Sequence, residues 1–185
     1  LATDVRWGRV EETYGEDPFL TSAMGIAFVK AFEQRGVVTT PKHFAVNHGE
    51  GGRDSYPIHY NERLLEETYF VPFKAVVQKG GARSIMTAYN SLDGSPCSAN
   101  DWLLNKKLRN DWGFKGYVTS DWMNGLFDAQ SGIEAGMNIE MPSDKIYSLR
   151  NIKKLLRDKK ISEQQIDDLI LPIIRTKLLF AARKD

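Results

Sequence analysis

The strongest constraint on this chain is a recurring unit, in which a short β-rich run ends in polar side chains and a helical stretch follows. Val37-Val38-Thr39-Thr40 runs into Lys42 and His43, and Ser84-Ile85-Met86-Thr87-Ala88 runs into Tyr89 and Asn90. Gly116-Tyr117-Val118-Thr119-Ser120 runs into Asp121 and Trp122, and Met137-Asn138-Ile139-Glu140-Met141 is stopped by Pro142. Short β-rich runs of this kind, bounded by Gly and Pro, are the pattern of buried parallel strands.

Helical periodicity fills the intervals. Residues 21–33 place Met24, Ala27, Phe28, Ala31 and Phe32 on one predicted face, closed by Gly36. Asn61 reads as the N-cap of a helix reaching Lys79, which Pro72 is expected to kink or divide. A shorter helix is predicted over residues 102–110. In the C-terminal third, Ser162 and Gln165 form the signature of a capping box opening a last helix. Strand alternating with helix predicts an α/β fold with a parallel sheet. Polar clusters at the C-terminal ends of several strands favour a (β/α)8 TIM-type barrel over a doubly wound sheet. Such a barrel usually needs about 250 residues, and only four or five β/α units can be placed here. The expectation is therefore an incomplete part of a barrel. The opening Leu1-Ala2-Thr3-Asp4, with no initiator Met or leader pattern, agrees with a piece of a longer protein.

A net charge of +1, with 42% hydrophobic and 26% charged residues, gives no reason to expect a nucleic-acid or membrane-surface partner. No apolar run is long enough to cross a bilayer. The single cysteine, Cys97, excludes an intrachain disulfide, and His43, His48 and His59 lack zinc-site spacing. Nucleophile-elbow, dinucleotide and P-loop motifs are absent.

Several residues could carry chemistry. Asp121 directly follows a buried strand, where its carboxylate can face a substrate or, alternatively, cap a following helix. Trp122 beside it offers a ring for sugar stacking. Lys42 and His43 can hold a polyol through directional hydrogen bonds, or a phosphate, although no Gly-rich cradle stands nearby. Arg9, close to several acidic residues, and Arg53, after Gly49-Glu50-Gly51-Gly52, are either substrate contacts or surface ion pairs. Tyr89 can stack in the core or offer its hydroxyl to a carboxylate.

Taken together, these stretches resemble glycoside hydrolase family 3, the β-glucosidases and β-xylosidases. The resemblance is carried by Arg6-Trp7-Gly8-Arg9 with residues 12–18, by Pro41-Lys42-His43-Phe44-Ala45-Val46-Asn47 up to Arg53, and by Met86-Thr87-Ala88-Tyr89-Asn90. Residues 113–122 and Ala135-Gly136-Met137-Asn138-Ile139-Glu140-Met141-Pro142 complete it. It implies a retaining hydrolase removing terminal β-linked sugars, most simply β-glucosyl, with Asp121 as nucleophile, a scheme that requires neither a metal nor an organic cofactor. Arg9, Lys42, His43 and Arg53 would hold the sugar, Met86 would line the subsite wall, Tyr89 would adjoin the nucleophile and Trp122 would line the pocket. Asn138 stands where the family often has Asp. The division implied is 1–150 as a partial catalytic barrel and 151–185 as its C-terminal helices leading to an absent second domain. The substrate would be a β-glycoside or oligosaccharide, and remaining segments of the same enzyme would supply the general acid/base. A β-xylosidase of the same family, or a non-catalytic carbohydrate-binding remnant, are the competing readings. Relatives are often exported, so a secreted or periplasmic location is the family's expectation.

Overall fold

The computed structural model describes residues 17–47 and 57–182. Arg9 and Arg53 lie outside them. Helix α1 spans Pro18–Glu33, three residues earlier than the periodicity predicts. The Asp17 carboxylate caps it, accepting from the Phe19 and Leu20 amides at 2.8 and 3.2 Å. The face it buries is also not the predicted one. Ser22, Val29 and Glu33 are buried, whereas Met24, Phe28 and Phe32 are exposed. Small residues decide this, because close helix approach needs a flat surface: a Cβ on Gly25 would lie 2.8 Å from Val76 Cγ1. The chain packs along that small-residue face and leaves the bulky stripe outward.

Strand β1 (Pro57–Ile58) precedes helix α2, residues 62–80. Asn61 caps α2 as predicted, its Oδ1 accepting from the Leu64 amide at 2.8 Å. Pro72 does not divide the helix. Instead α-helical turns alternate with wider π turns at Leu65–Tyr69 and Val76–Gly80, and the first of these shifts the hydrogen-bond ladder just ahead of the proline. Strand β2 (Ser84–Met86), the hairpin strands β3 (Ser91–Leu92) and β4 (Ser95–Pro96), and α3 (Trp102–Asp111), which is π-helical, come next. Strand β5 (Tyr117–Thr119), α4 (Ala129–Glu134), α5 (Leu149–Arg157) and α6 (Glu163–Ala181) complete the order. The expected capping box opens α6: the Gln165 side chain accepts from the Ser162 amide at 2.9 Å, and Ser162 Oγ accepts from the Gln165 amide at 3.2 Å.

β2 and β5 pair in parallel, with Ile85 opposite Val118. Parallel bridges extend the array on both sides, Phe44 to Thr87 and Thr119 to Ile139. Four successive segments thus lie side by side in chain order, with α2, α3 and α4 in the connections. This is a parallel α/β arrangement. Residues 37–40 were expected to be a strand, yet they join no ladder, and the first segment becomes strand-like only at Phe44. A separate small sheet carries β1, β3 and β4 in the order β1-β3-β4.

The core lies between these segments and the helices on their outer side. Phe44 is fully buried at its centre, with ring centroids 5.8 Å from Phe70, 5.0 Å from Phe73 and 5.5 Å from Trp112. Around it pack Ile85, Leu104, Leu108, Val118 and Met137. Asn138 ties three elements together from inside. Its Oδ1 accepts from the Val118 amide at 2.7 Å and from Arg109 at 2.9 Å, and its Nδ2 donates to the Leu169 carbonyl at 2.7 Å. An Asp here could not make that last bond, so the amide fits the site it occupies. Burial lowers the Arg109 guanidinium to about 10, since a charge is disfavoured away from water.

Candidate active site

The polar clusters expected at strand ends are brought to one edge. Each parallel neighbour runs the same way, so the residues just after Phe44, Met86, Thr119 and Ile139 all emerge together. Asp121 sits there, two residues beyond β5, only 6% exposed.

Its carboxylate is held unevenly. Oδ1 accepts from the Trp122 amide at 2.7 Å. Oδ2 lies 3.3 Å from His43 Nε2, both side chains being buried, but receives no well-formed hydrogen bond among the described residues. An oxygen placed this way keeps its lone pairs for another group. The helix-capping alternative fails, because residues 122–125 form turns and a bend with no helix before Ala129, and α4 takes its cap from Asp128, which accepts from the Ser131 amide at 2.8 Å.

The main chain at Asp121 is fixed from two sides. Ser120 Oγ donates to the Asp121 carbonyl at 2.9 Å and accepts from the Met141 amide at 2.8 Å, while the Ser120 amide donates to the Ile139 carbonyl at 2.8 Å. Gly125 folds back so closely that a Cβ there would lie 2.3 Å from the Asp121 carbonyl oxygen and 2.6 Å from its amide nitrogen. Only glycine permits this approach. Neither Ser120 nor Gly125 was singled out from sequence; Ser120 stood within the quoted motif, whereas Gly125 carried no signal beyond its residue type.

His43 is brought to Asp121 by the Phe44 segment, whose amide donates to the Met86 carbonyl at 2.8 Å. The Lys42–His43 and Phe44–Ala45 peptide bonds are cis. Lys42 is exposed at the same edge and makes no ion pair with Asp121 among the described residues. Met86 and Tyr89 are half-buried at the end of β2. Trp122 is 45% exposed, its ring free to meet a ligand beside the carboxylate. Behind them, buried Asn90 links two strand ends: Asn47 Nδ2 donates to its Oδ1 at 3.3 Å, and its own Nδ2 donates to the Ala45 carbonyl at 3.2 Å. Among the described residues, no group of His, Cys, Asp and Glu side chains is arranged to hold a metal ion.

A buried carboxylate with one oxygen lacking a hydrogen bond, beside an imidazole and a half-exposed indole, is a set of groups capable of acid or nucleophile chemistry, carried on an α/β protein. The chain belongs to the family described as glycosyl hydrolase family 3 N terminal domain, which it matches over residues 1–176. It is 43% identical over 135 residues to a beta-glucosidase of Rhizobium radiobacter, covering 73% of this chain and 16% of that protein. It is 38% identical over 160 residues to an exo-alpha-(1->6)-L-arabinopyranosidase of Bifidobacterium breve, covering 86% of this chain and 21% of that protein. The crystal structure of beta-glucosidase 3B from Thermotoga neapolitana in complex with alpha-D-glucose superposes with a TM-score of 0.86 at 33% identity, over 95% of this chain and 26% of that one. The chain therefore spans about a quarter or less of these relatives.

Proposed function

We propose that this chain contributes the nucleophile and part of the sugar subsite to a retaining β-glucosidase. The observation that carries the reading is Asp121 itself, a buried carboxylate at the shared strand edge with one oxygen anchored and the other without a hydrogen bond. In the reaction, that second oxygen bonds to the anomeric carbon as the bond to the leaving oxygen breaks. A general acid protonates the departing group, and water then releases the sugar from the Asp121 ester. Such enzymes hold their two carboxyl groups about 5–5.5 Å apart. No residue of this chain is assigned as the acid, which further segments of the enzyme supply. The parallel segments are read as consecutive strands of a (β/α)8 barrel with residues 1–150, and residues 151–185 as its closing helices.

His43 lies against Asp121 Oδ2 at 3.3 Å and, with Lys42, Arg9 and Arg53, binds ring hydroxyls. Met86 forms a wall, Tyr89 flanks the nucleophile and Trp122 stacks on a sugar face. No cofactor enters this scheme. The similarity to an arabinopyranosidase favours one second reading, a pentopyranoside substrate lacking the C6 hydroxymethyl group.

The test is incubation with 2-deoxy-2-fluoro-β-glucosyl fluoride, followed by intact-mass and peptide mapping. An adduct on Asp121, absent from Asp121→Asn, is expected. Labelling by the xylosyl analogue alone would move the substrate to pentosides, and labelling by neither would remove Asp121 from the nucleophile role.

A further inference from the structure

We propose that the cavity between β1, the β3–β4 hairpin and the first turns of α2 and α3 is a second carbohydrate site that takes one neutral pyranose unit. It is a half-open cleft of about 370 Å³, in the size range of small-ligand clefts. Tyr60 and Trp102 form aromatic walls, buried Leu65 and Leu92 lie at its base, and Asp93 and Ser95 bring polar groups to it. Aromatic and aliphatic surface complements the C–H faces of a sugar ring, while a carboxylate and a hydroxyl accept and donate to its hydroxyls.

The walls are held before any ligand arrives. Tyr60 stacks on Tyr69 with centroids 5.2 Å apart and planes 10° from parallel. Trp102 has Lys107 Nζ 5.2 Å from its ring centroid and Phe70 at 6.1 Å. The hairpin turn uses Asp93 and Gly94 at φ 50° and 85°, the conformation of a tight two-residue hairpin, so the rim is fixed too. Preorganised walls reduce the ordering cost of binding.

Charge selects the ligand class. Among the described residues lining the cavity there is no Lys or Arg. Nearby Lys107 is committed to Glu62, to Glu66 at 3.0 Å and to Asp111 at 3.5 Å. A phosphate or carboxylate ligand would meet Asp93 and Glu62 with only the His59 ring, itself 3.3 Å from Asp93 Oδ1, to offset them, whereas a neutral polyol meets acceptors it can donate to. The hairpin follows directly from Tyr89 and Asn90, on the edge that carries Asp121. A glycan held here keeps its other units close to that edge and raises their effective concentration. The choice of glucosyl probe rests on the glycosidase reading; the binding measurement does not.

The test follows the indole N–H resonances of the four tryptophans during titration of the chain with cellobiose. Trp102 is expected to shift on its own saturation curve, and to keep shifting in Asp121→Asn. Ser95→Leu, which fills the cavity, and Tyr60→Ala, which removes a wall, should each weaken the Trp102 curve at least about fivefold while leaving the Trp122 resonance unmoved. A Trp102 resonance that does not respond to cellobiose, or one whose response survives both substitutions in folded protein, overturns the proposal. Loss of Asp121 labelling with the Trp102 curve intact would instead count against the glycosidase reading alone and leave this site standing.

Discussion

Replacing Gly125 by alanine should disable Asp121 without touching any group that could meet a substrate. The added Cβ would stand 2.3 Å from the Asp121 carbonyl oxygen and 2.6 Å from its nitrogen. Ordinary contact begins near 3.4 Å, so the two stretches of backbone must part by about 1 Å, and a displacement of that size at a reacting group costs on the order of 100-fold in rate. That corresponds to about 2.7 kcal/mol of activation free energy. Gly125 is not among the glycines with positive φ, so alanine suffers no backbone strain there and the collision acts alone. The assay is the rate of adduct formation with 2-deoxy-2-fluoro-β-glucosyl fluoride, read by intact mass. Fluoride departs with little need of a general acid, so this rate reports mainly on the nucleophile. Thermal unfolding is measured in parallel. A Gly125→Ala protein that folds and labels within about threefold of the parent, well short of the 1.4 kcal/mol of a tenfold loss, would refute the argument that this turn sets the position of Asp121.

Other consequences are as open to measurement. Asn138→Ala leaves the Val118 amide, Arg109 and the Leu169 carbonyl without their shared partner; a loss of about 2–4 kcal/mol is expected in urea unfolding, and a change under 1 kcal/mol would show the hub to be dispensable. The Cys97 thiol is fully buried, which pushes it up to about 12 from an ordinary 9. The folded state therefore keeps a proton that the unfolded chain releases, and this contribution to stability is complete below pH 9 and is lost as pH rises toward 12. Tyr69 and Tyr147 are also raised, chiefly by burial, and act in the same direction. Urea midpoints should fall steadily above pH 9, and a flat profile would contradict it. In native protein at pH 8, Cys97 should resist an aromatic disulfide reagent until denaturant is added.

The sequence was most legible where one local interaction decides the outcome. Asn61 and Ser162 cap the helices they were expected to cap, because a side-chain acceptor and a free amide need only a few residues to find each other. The segments ending at Tyr89 and Asp121 were recognisable from apolar runs, whereas the run 37–40 before His43 joins no ladder and pairing there begins only at Phe44. The α1 face was misread because bulky residues were taken to mark the buried side, whereas the fit of Gly25 against Val76 decides it. Pro72 was expected to kink or divide α2, but helical turns run through it, with π turns on either side. The clamp on Asp121 was invisible, since Ser120, Gly125 and Met141 act through distances that no periodicity encodes.

The bridge from Thr119 to Ile139 also sets an order of events during synthesis. When Asp121 leaves the ribosome, β5 can already pair with β2, which was made before it. The opposite flank is not yet available: the Ile139 carbonyl that receives the Ser120 amide, and the Met141 amide that reaches Ser120 Oγ, still lie inside the ribosome. Growing chains fold in units from the N-terminal end, so the carboxylate passes through a stage in which it is present but unclamped. Nascent chains stalled so that Asp121 has emerged but Ile139 has not should therefore leave Asp121 unclamped on that flank, and the site is complete only as the segment through Met141 emerges.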